Sequence, residues 1–223
     1  MSKLLLIRHG QASFGQKNYD QLSELGTKQA QWLGEYLKDA NIQPDRIITG
    51  SLMRHKQTAA SICQGLNFNG EIDEHTGWNE FDFQTIVLAY LQKHPELTPT
   101  TKQPKAYFSL LKRAMTSWSK SELSDSQTES WTDFEHRVNA AMAYSKSKTT
   151  SAPTLVISSG GAISMALKYI LKLDATTMID LNLQTRNTSI SEIYFNQSND
   201  QLCSFNATPH LESKDRRDSI TYA

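Results

Sequence analysis

Leu4-Leu5-Leu6-Ile7-Arg8-His9-Gly10 decides how this chain is read. Four bulky aliphatics in a row predict a strand buried on both faces, as in a parallel sheet covered by helices. The arginine, imidazole and glycine that follow fall at the strand's C-terminal end, where open α/β sheets place their ligands. Arg8 offers fixed donors for a phosphate or carboxylate. His9 can serve as base, acid or nucleophile, and Gly10 lets backbone approach a ligand closely. On residue chemistry alone, a satisfied structural histidine at a strand end explains the tripeptide equally well.

Working outward, a polar loop from Gln11 to Gln21 leads to Ser23, an N-cap for a helix running to about Lys38 with Ala30, Leu33 and Leu37 on one face. Arg46-Ile47-Ile48-Thr49 reads as a second strand, residues 52–64 as a helix, and Glu71-Ile72-Asp73 as a weaker third strand. Residues 84–150 break this rhythm with three helical stripes and no strand between them. These are Ile86, Val87, Tyr90 and Leu91, then Tyr107, Leu110, Leu111 and Ala114, then Phe134, Val138, Ala141 and Met142. The sheet pattern resumes at Thr154-Leu155-Val156-Ile157-Ser158, followed by Gly160-Gly161 and a helix over 162–171. Residues 189–195 and 201–205 alternate like the two strands of a hairpin.

The expected fold is therefore α/β: a three-layer sandwich whose mostly parallel central sheet carries an antiparallel edge hairpin. Residues 1–209 form one domain, 84–150 a helical cap insertion lying over the sheet edge, and 210–223 a loosely held C-terminal tail.

Composition narrows the function. Lysine plus arginine and aspartate plus glutamate both number 23, so no global field recruits nucleic acid or an anionic membrane, and anion binding must be local. Cys63 and Cys203 show no metal-ligand or redox spacing and read as free thiols of a reducing compartment. No apolar stretch approaches membrane-spanning length, and 4–7 is too short for a signal-peptide core. The expectation is a cytoplasmic protein.

Further strand-to-helix junctions suit an anion. Arg54 falls in the first turn of the second helix, where a cation opposes the helix dipole unless an anion compensates it; a solvated surface arginine is the plainer reading. Ser158-Ser159-Gly160-Gly161 could cradle an anion on backbone N–H groups, or be a tight turn. Glu80, among Trp78, Phe81 and Phe83, would have its pKa raised if partly desolvated, or be an ordinary loop acid. The chain has no G-x-S-x-G, no Walker A and no G-x-G-x-x-G.

Taken in order, these segments resemble the histidine phosphatase superfamily, which includes phosphoglycerate mutases and phosphohistidine-type fructose-bisphosphatases. Arg8-His9-Gly10 resembles its R-H-G nucleophile motif, and residues 22–30 its L-[ST]-x-x-G-x-x-Q-A helix start. Residues 52–59 resemble L-x-R-A-x-Q-T-A, whose arginine binds phosphate. Trp78-Asn79-Glu80 is similar to the loop holding the proton donor, and residues 156–161 to the strand and turn written V-S-H-G-G. Residues 187–190 and 206–211 resemble its C-terminal N-x-S-[IL] and N-x(3)-H-L segments.

The resemblance implies hydrolysis of a phosphomonoester through a phosphohistidine on His9. Arg8 and Arg54 would hold the phosphoryl oxygens and Glu80 would protonate the leaving alcohol. Gly10, Gln11, Ser159 and Gly160 would line the substrate. No metal or cofactor is implied, because the two guanidinium groups supply the positive charge. The partner would be a small phosphorylated molecule or a phosphoprotein.

Three departures stand out. Ser159 occupies the place of the family's second catalytic histidine, and losing one preorganised donor typically costs ~10²–10³ in rate. His55, His75, His94, His136 and His210 are possible substitutes, and His55 gains little from adjoining Arg54, since neighbours on a helix point about 100° apart. Gly15 replaces an asparagine expected seven residues after Arg8. Glu80 is followed by Phe81-Asp82-Phe83-Gln84 rather than the mutase-type tyrosine-glycine, and the basic mutase segment is not evident in residues 84–120. A phosphatase is therefore expected ahead of a mutase, with a phosphate-binding regulatory protein of weak or no catalysis as the alternative that Ser159 raises.

Overall fold

The computed structural model describes residues 2–13, 20–99, 104–123, 129–148 and 151–222. The opening aliphatics form β1 (Ser2–Arg8) near the middle of a six-stranded sheet. Beside it lie β2 (Arg46–Thr49), β3 (Ile72–Glu74), β4 (Thr154–Ser158), β5 (Ile190–Phe195) and β6 (Asp200–Ala207), in the order β3-β2-β4-β1-β5-β6. The first four run parallel, and β5 and β6 add an antiparallel edge. Because β1 and β4 pair in register, Arg8 sits across from Ser158, which brings His9 and Ser159 to one end of the sheet.

Alternation along β1 divides the core. Leu5 and Ile7 face α1 (Glu24–Asp39) and α2 (Met53–Leu66), packing with Leu33, Leu37, Ile62 and Leu66. Leu4 and Leu6 face the other layer: α3 (Phe83–Lys93), α4 (Pro104–Ser119), α5 (Trp131–Ser145), α6 (Gly160–Leu171) and α7 (Ala175–Gln184). Each such aliphatic, fully buried, contributes about 1.5–3 kcal/mol relative to exposure. This is the three-layer α/β arrangement expected from the sequence. Residues 84–150 contribute α4, α5 and nearly all of α3, and their stripes are continuous with the sheet-facing core. Phe81, Trp118 and Phe134 stack within one cluster that also holds Val156 and Ile163.

Two elements differ from the reading. Helix α7 was not expected, because Thr176, Thr177, Asp180 and Asn182 are poor helix formers. It is fixed instead by tertiary burial of Met178 and Ile179 and by the Asp174 cap on Thr177 N, 2.7 Å. The C-terminal tail is not loosely held. Leu211 and His210 are buried, and the Ser219 carbonyl accepts from Gln29 Nε2 at 2.6 Å. Thr221 O accepts from Asn187 N at 2.9 Å, and Tyr222 O from Arg8 at 2.6 Å. Charged, aperiodic residues conceal such an attachment, since backbone atoms make most of it.

His210, hydrogen-bonded to Thr188 Oγ1 at 2.8 Å, is held at a pKa of about 3 by burial and then by Arg216. Below the ordinary value of 6.5 the unfolded chain takes up a proton that the folded chain refuses until about pH 3, so stability falls as pH drops through that interval. His210→Gln, which retains a polar group near Thr188, should therefore lose less melting temperature than wild type between neutral pH and about pH 4. Thermal denaturation across that range checks this, and equal slopes in both proteins would refute it.

Candidate active site

The ends of β1, β2 and β4 and the first turns of α2 and α6 converge on His9. Its Nδ1 lies 2.7 Å from the Gly10 carbonyl, an acceptor, so this nitrogen carries the proton and Nε2 keeps its lone pair. The Asn187 amide donates to the His9 carbonyl at 3.1 Å, and Gly10 N donates to Thr58 Oγ1 at 3.0 Å. Gly10 also packs on the backbone of Gly26, where an added Cβ would lie 2.3 Å from the Gly26 carbonyl oxygen. The nucleophile candidate is thus clamped from β5's approach, α2 and α1 together.

Both arginines reach this place. Arg54 is nearly buried, and its Nη1 pairs with Asp20 Oδ1 at 2.8 Å. Asp20 Oδ2 also accepts from Met53 N at 2.9 Å, so the carboxylate caps α2 while steadying the guanidinium. Arg8 Nη1 donates to the Thr185 carbonyl, to Thr185 Oγ1 at 3.3 Å and to the Tyr222 carbonyl. Thr185, just after α7 and 177 residues on in the chain, and Tyr222, 214 residues on, therefore orient the Arg8 guanidinium.

Glu80 meets the N-terminus of α6, where its Oε2 accepts from Gly161 N at 3.1 Å. A Cβ on Gly161 would lie 2.2 Å from Glu80 Oε1, so the glycine makes room for this carboxyl. Arg137 of α5 holds the loop by donating to the Asn79 carbonyl at 2.7 Å and the Gly77 carbonyl at 3.1 Å, with Glu129 behind it. Burial raises the Glu80 pKa, although the Gly161 N–H, Arg54, Arg8 and the Phe81 N–H pull the other way. Burial, then Arg54, Arg8 and His55, hold His9 well below the usual histidine range, against the Gly10 hydrogen bond. A neutral imidazole and a carboxyl inclined to keep its proton thus stand in one cationic site.

Of the other expected residues, Gln11 gives its Oε1 to the Ser23 hydroxyl at 2.8 Å, and its N–H donates to Gln29. Gly160 begins α6 against Asn182 and Thr185. Gly15 lies outside the described residues. Of the five histidines offered as substitutes for the second catalytic imidazole, His55 lies beside His9: its ring centroid is 5.7 Å from that of His9, and its Nε2 is 2.7 Å from Ser159 Oγ. The separation of about 100° from Arg54 does not carry His55 away, because the site lies off the end of α2, which both side chains of the first turn can reach. His75 stacks on Tyr144, His94 on Tyr90, and His210 binds Thr188, each elsewhere. Asp20, Asn187, Thr185 and Arg137 were also missed, since nothing local marks a residue that binds backbone across the fold.

Comparison with known proteins bears on the family and the fold. The sequence profile described as histidine phosphatase superfamily (branch 1) matches residues 4–208. A phosphoglycerate mutase of Candida albicans is 45% identical over 65 residues, 26% of this chain and 26% of the mutase, so the match spans about a quarter of that relative. The structure of Entamoeba histolytica phosphoserine phosphatase with 3-phosphoglyceric acid superposes with TM-score 0.67 at 23% identity, covering 95% of this chain and all of the other. Mycobacterial glucosyl-3-phosphoglycerate phosphatase superposes at 0.66 with 21% identity, covering 93% and 99%. These structural likenesses speak to the fold. No described helix is long and apolar enough to cross a membrane.

Long-range ¹⁵N–¹H spectra should find His9 as the neutral Nδ1–H tautomer throughout neutral pH. A His9 signal that titrates near 6.5 would contradict the burial and charge environment derived above.

Proposed function

The chain belongs to the histidine phosphatase superfamily, and from that premise we propose that it hydrolyses a phosphomonoester through a phosphohistidine on His9. The observation that carries this reading is the His9 Nδ1–Gly10 carbonyl bond, which aims a lone pair from Nε2 in a site bearing two guanidinium groups. Nε2 attacks phosphorus in line as the bond to the leaving oxygen breaks, and Glu80 gives that oxygen its proton. Water then attacks the phosphohistidine. Glu80 takes a proton from the water, the P–N bond breaks, and the electron pair returns to Nε2. Arg8 and Arg54 bind the nonbridging oxygens, whose charge they are preorganised to meet.

The substrate is a small phosphorylated molecule or a phosphoprotein. Phosphatase rather than mutase action is supported by the continuation Phe81-Asp82-Phe83 after Glu80. Phe81 is packed into the core against Trp118 and Phe134, where it walls the carboxyl with apolar surface.

Turnover of p-nitrophenyl phosphate should vanish in His9→Ala and fall ~10²-fold or more in Glu80→Gln. Acid-labile, alkali-stable phosphate should be trapped on wild type by rapid quench. Turnover no greater than that of His9→Ala across a broad phosphate panel would overturn the proposal.

A pH profile tests the assignment of roles. His9 must be neutral and Glu80 protonated, so kcat/KM falls on the acid side as His9 gains its proton and on the alkaline side as Glu80 loses its own. The acid limb should lie well below the ordinary 6.5 of histidine and the alkaline limb above the ordinary 4.5 of glutamate. Glu80→Gln should remove the alkaline limb; a limb that persists would assign it to another group.

A further inference from the structure

We propose that His55 is a positioning residue for phosphoryl transfer: its Nε2–H donates to Ser159 Oγ, freeing the Ser159 hydroxyl to donate to a phosphoryl oxygen. The two residues would together supply the donor that the S-H-G-G pattern draws from a single histidine, with the imidazole entering from α2 instead of the β4–α6 turn. The inference rests on the phosphoryl-transfer reading above.

Three observations carry it. Ser159 is the N-cap of α6, yet its hydroxyl makes no capping bond. A capping serine ordinarily accepts from the N–H of the second or third helical residue. Here Glu80 takes the Gly161 N–H, and the Ser159 hydroxyl is turned to His55 at 2.7 Å. Both side chains are fully buried, so the contact is not a surface accident.

The second observation fixes the tautomer. His55 Nδ1 is buried and has no hydrogen-bond partner among the described residues. Burial and then Arg54 keep the ring neutral, so one nitrogen carries the proton. A buried N–H without an acceptor is rare, which places the proton on Nε2, where Ser159 Oγ accepts it. The serine's own proton is then not used in that bond.

The third is Gly50, at the end of β2. A Cβ there would lie 2.3 Å from His55 Nδ1, so any other residue at 50 would displace the ring. The imidazole therefore occupies a space shaped for it, between the ends of β2 and β4 and beside His9. A histidine placed at 159 would have to share that space with His55.

A mutant cycle on p-nitrophenyl phosphate, with orthovanadate affinity measured in parallel, tests the pair. Ser159→Ala should lower kcat ~10²-fold, and His55→Ala should lower it substantially, while the double variant should be no worse than Ser159→Ala alone. His55→Gln, whose amide can donate where Nε2–H does, should restore most of the loss. Ser159→His should lose activity beside the native His55 and regain it, to within about tenfold of wild type, when combined with His55→Ala. Gly50→Ala, which keeps both residues, should reproduce the His55→Ala defect if His55→Ala itself does not fold. Losses that multiply, or a His55→Ala protein with lowered melting temperature but kcat within about threefold of wild type, would reduce His55 to a structural role and leave the phosphohistidine reading standing. Should wild type itself show no turnover above His9→Ala, that reading falls instead. Vanadate then decides the pair: weaker binding in His55→Ala supports it, and wild-type binding overturns it.

Discussion

One neutral imidazole in the field of two guanidinium groups is the constraint around which this site is arranged. A histidine in water near neutrality shares its time between charged and uncharged forms, and the charged form is no nucleophile. His9 escapes this by burial and by the fields of Arg54 and Arg8. Those same charges would attract a phosphoryl group, so in the proposed reaction the field that adds to burial in stripping the proton from the ring would also recruit the anion. The Gly10 carbonyl completes the arrangement by taking Nδ1–H and fixing which nitrogen faces outward.

Holding such a site together falls to residues distant in the chain. Parallel pairing of β1 with β4 and β2 with β4 aligns three strand ends, and two helix N-termini rise from two of them. Around that frame, bonds between side chains and backbone lock the geometry: Asn187 on the His9 carbonyl, Thr58 on the Gly10 N–H, Arg137 on the Glu80 loop, and the Arg8 guanidinium on the Tyr222 carbonyl. The tail closes the circuit, since Thr221 binds the same Asn187 that holds His9. Contacts of residues 219–222 with Arg8, Gln29 and Asn187 thereby tie the packing of that segment to assembly of the site.

The legible part of this design was whatever local pattern dictates. Four aliphatics announced β1, the Ser23 cap announced α1, and the three apolar stripes of 84–150 marked α3, α4 and α5. His9, Arg8, Arg54 and Glu80 could be picked out as candidates because each stands at a junction between strand and helix or beside aromatics. What stayed hidden depends on the third dimension. Helix α7 is made by burial against residues far away, and its own threonines argue against it. The tail is held by carbonyls, which every residue possesses. Adjacency to Arg54 could not single out His55 among the five candidate histidines, because only the packing shows that the first turn of α2 meets the site end-on.

His55 and Ser159 also bear on how a site can change without being lost. A preorganised donor is defined by where its hydrogen is, not by which segment delivers it. Moving an imidazole from the β4–α6 turn to the first turn of α2 requires space at its new position and a small side chain at the old one. Gly50 supplies the first condition and Ser159 the second. Under the His55–Ser159 proposal the two substitutions would be coupled, because either one alone would leave an imidazole crowding another or a phosphoryl oxygen without its donor. On that proposal, the meaning of a serine in the S-H-G-G turn depends on what stands one residue after the arginine of α2.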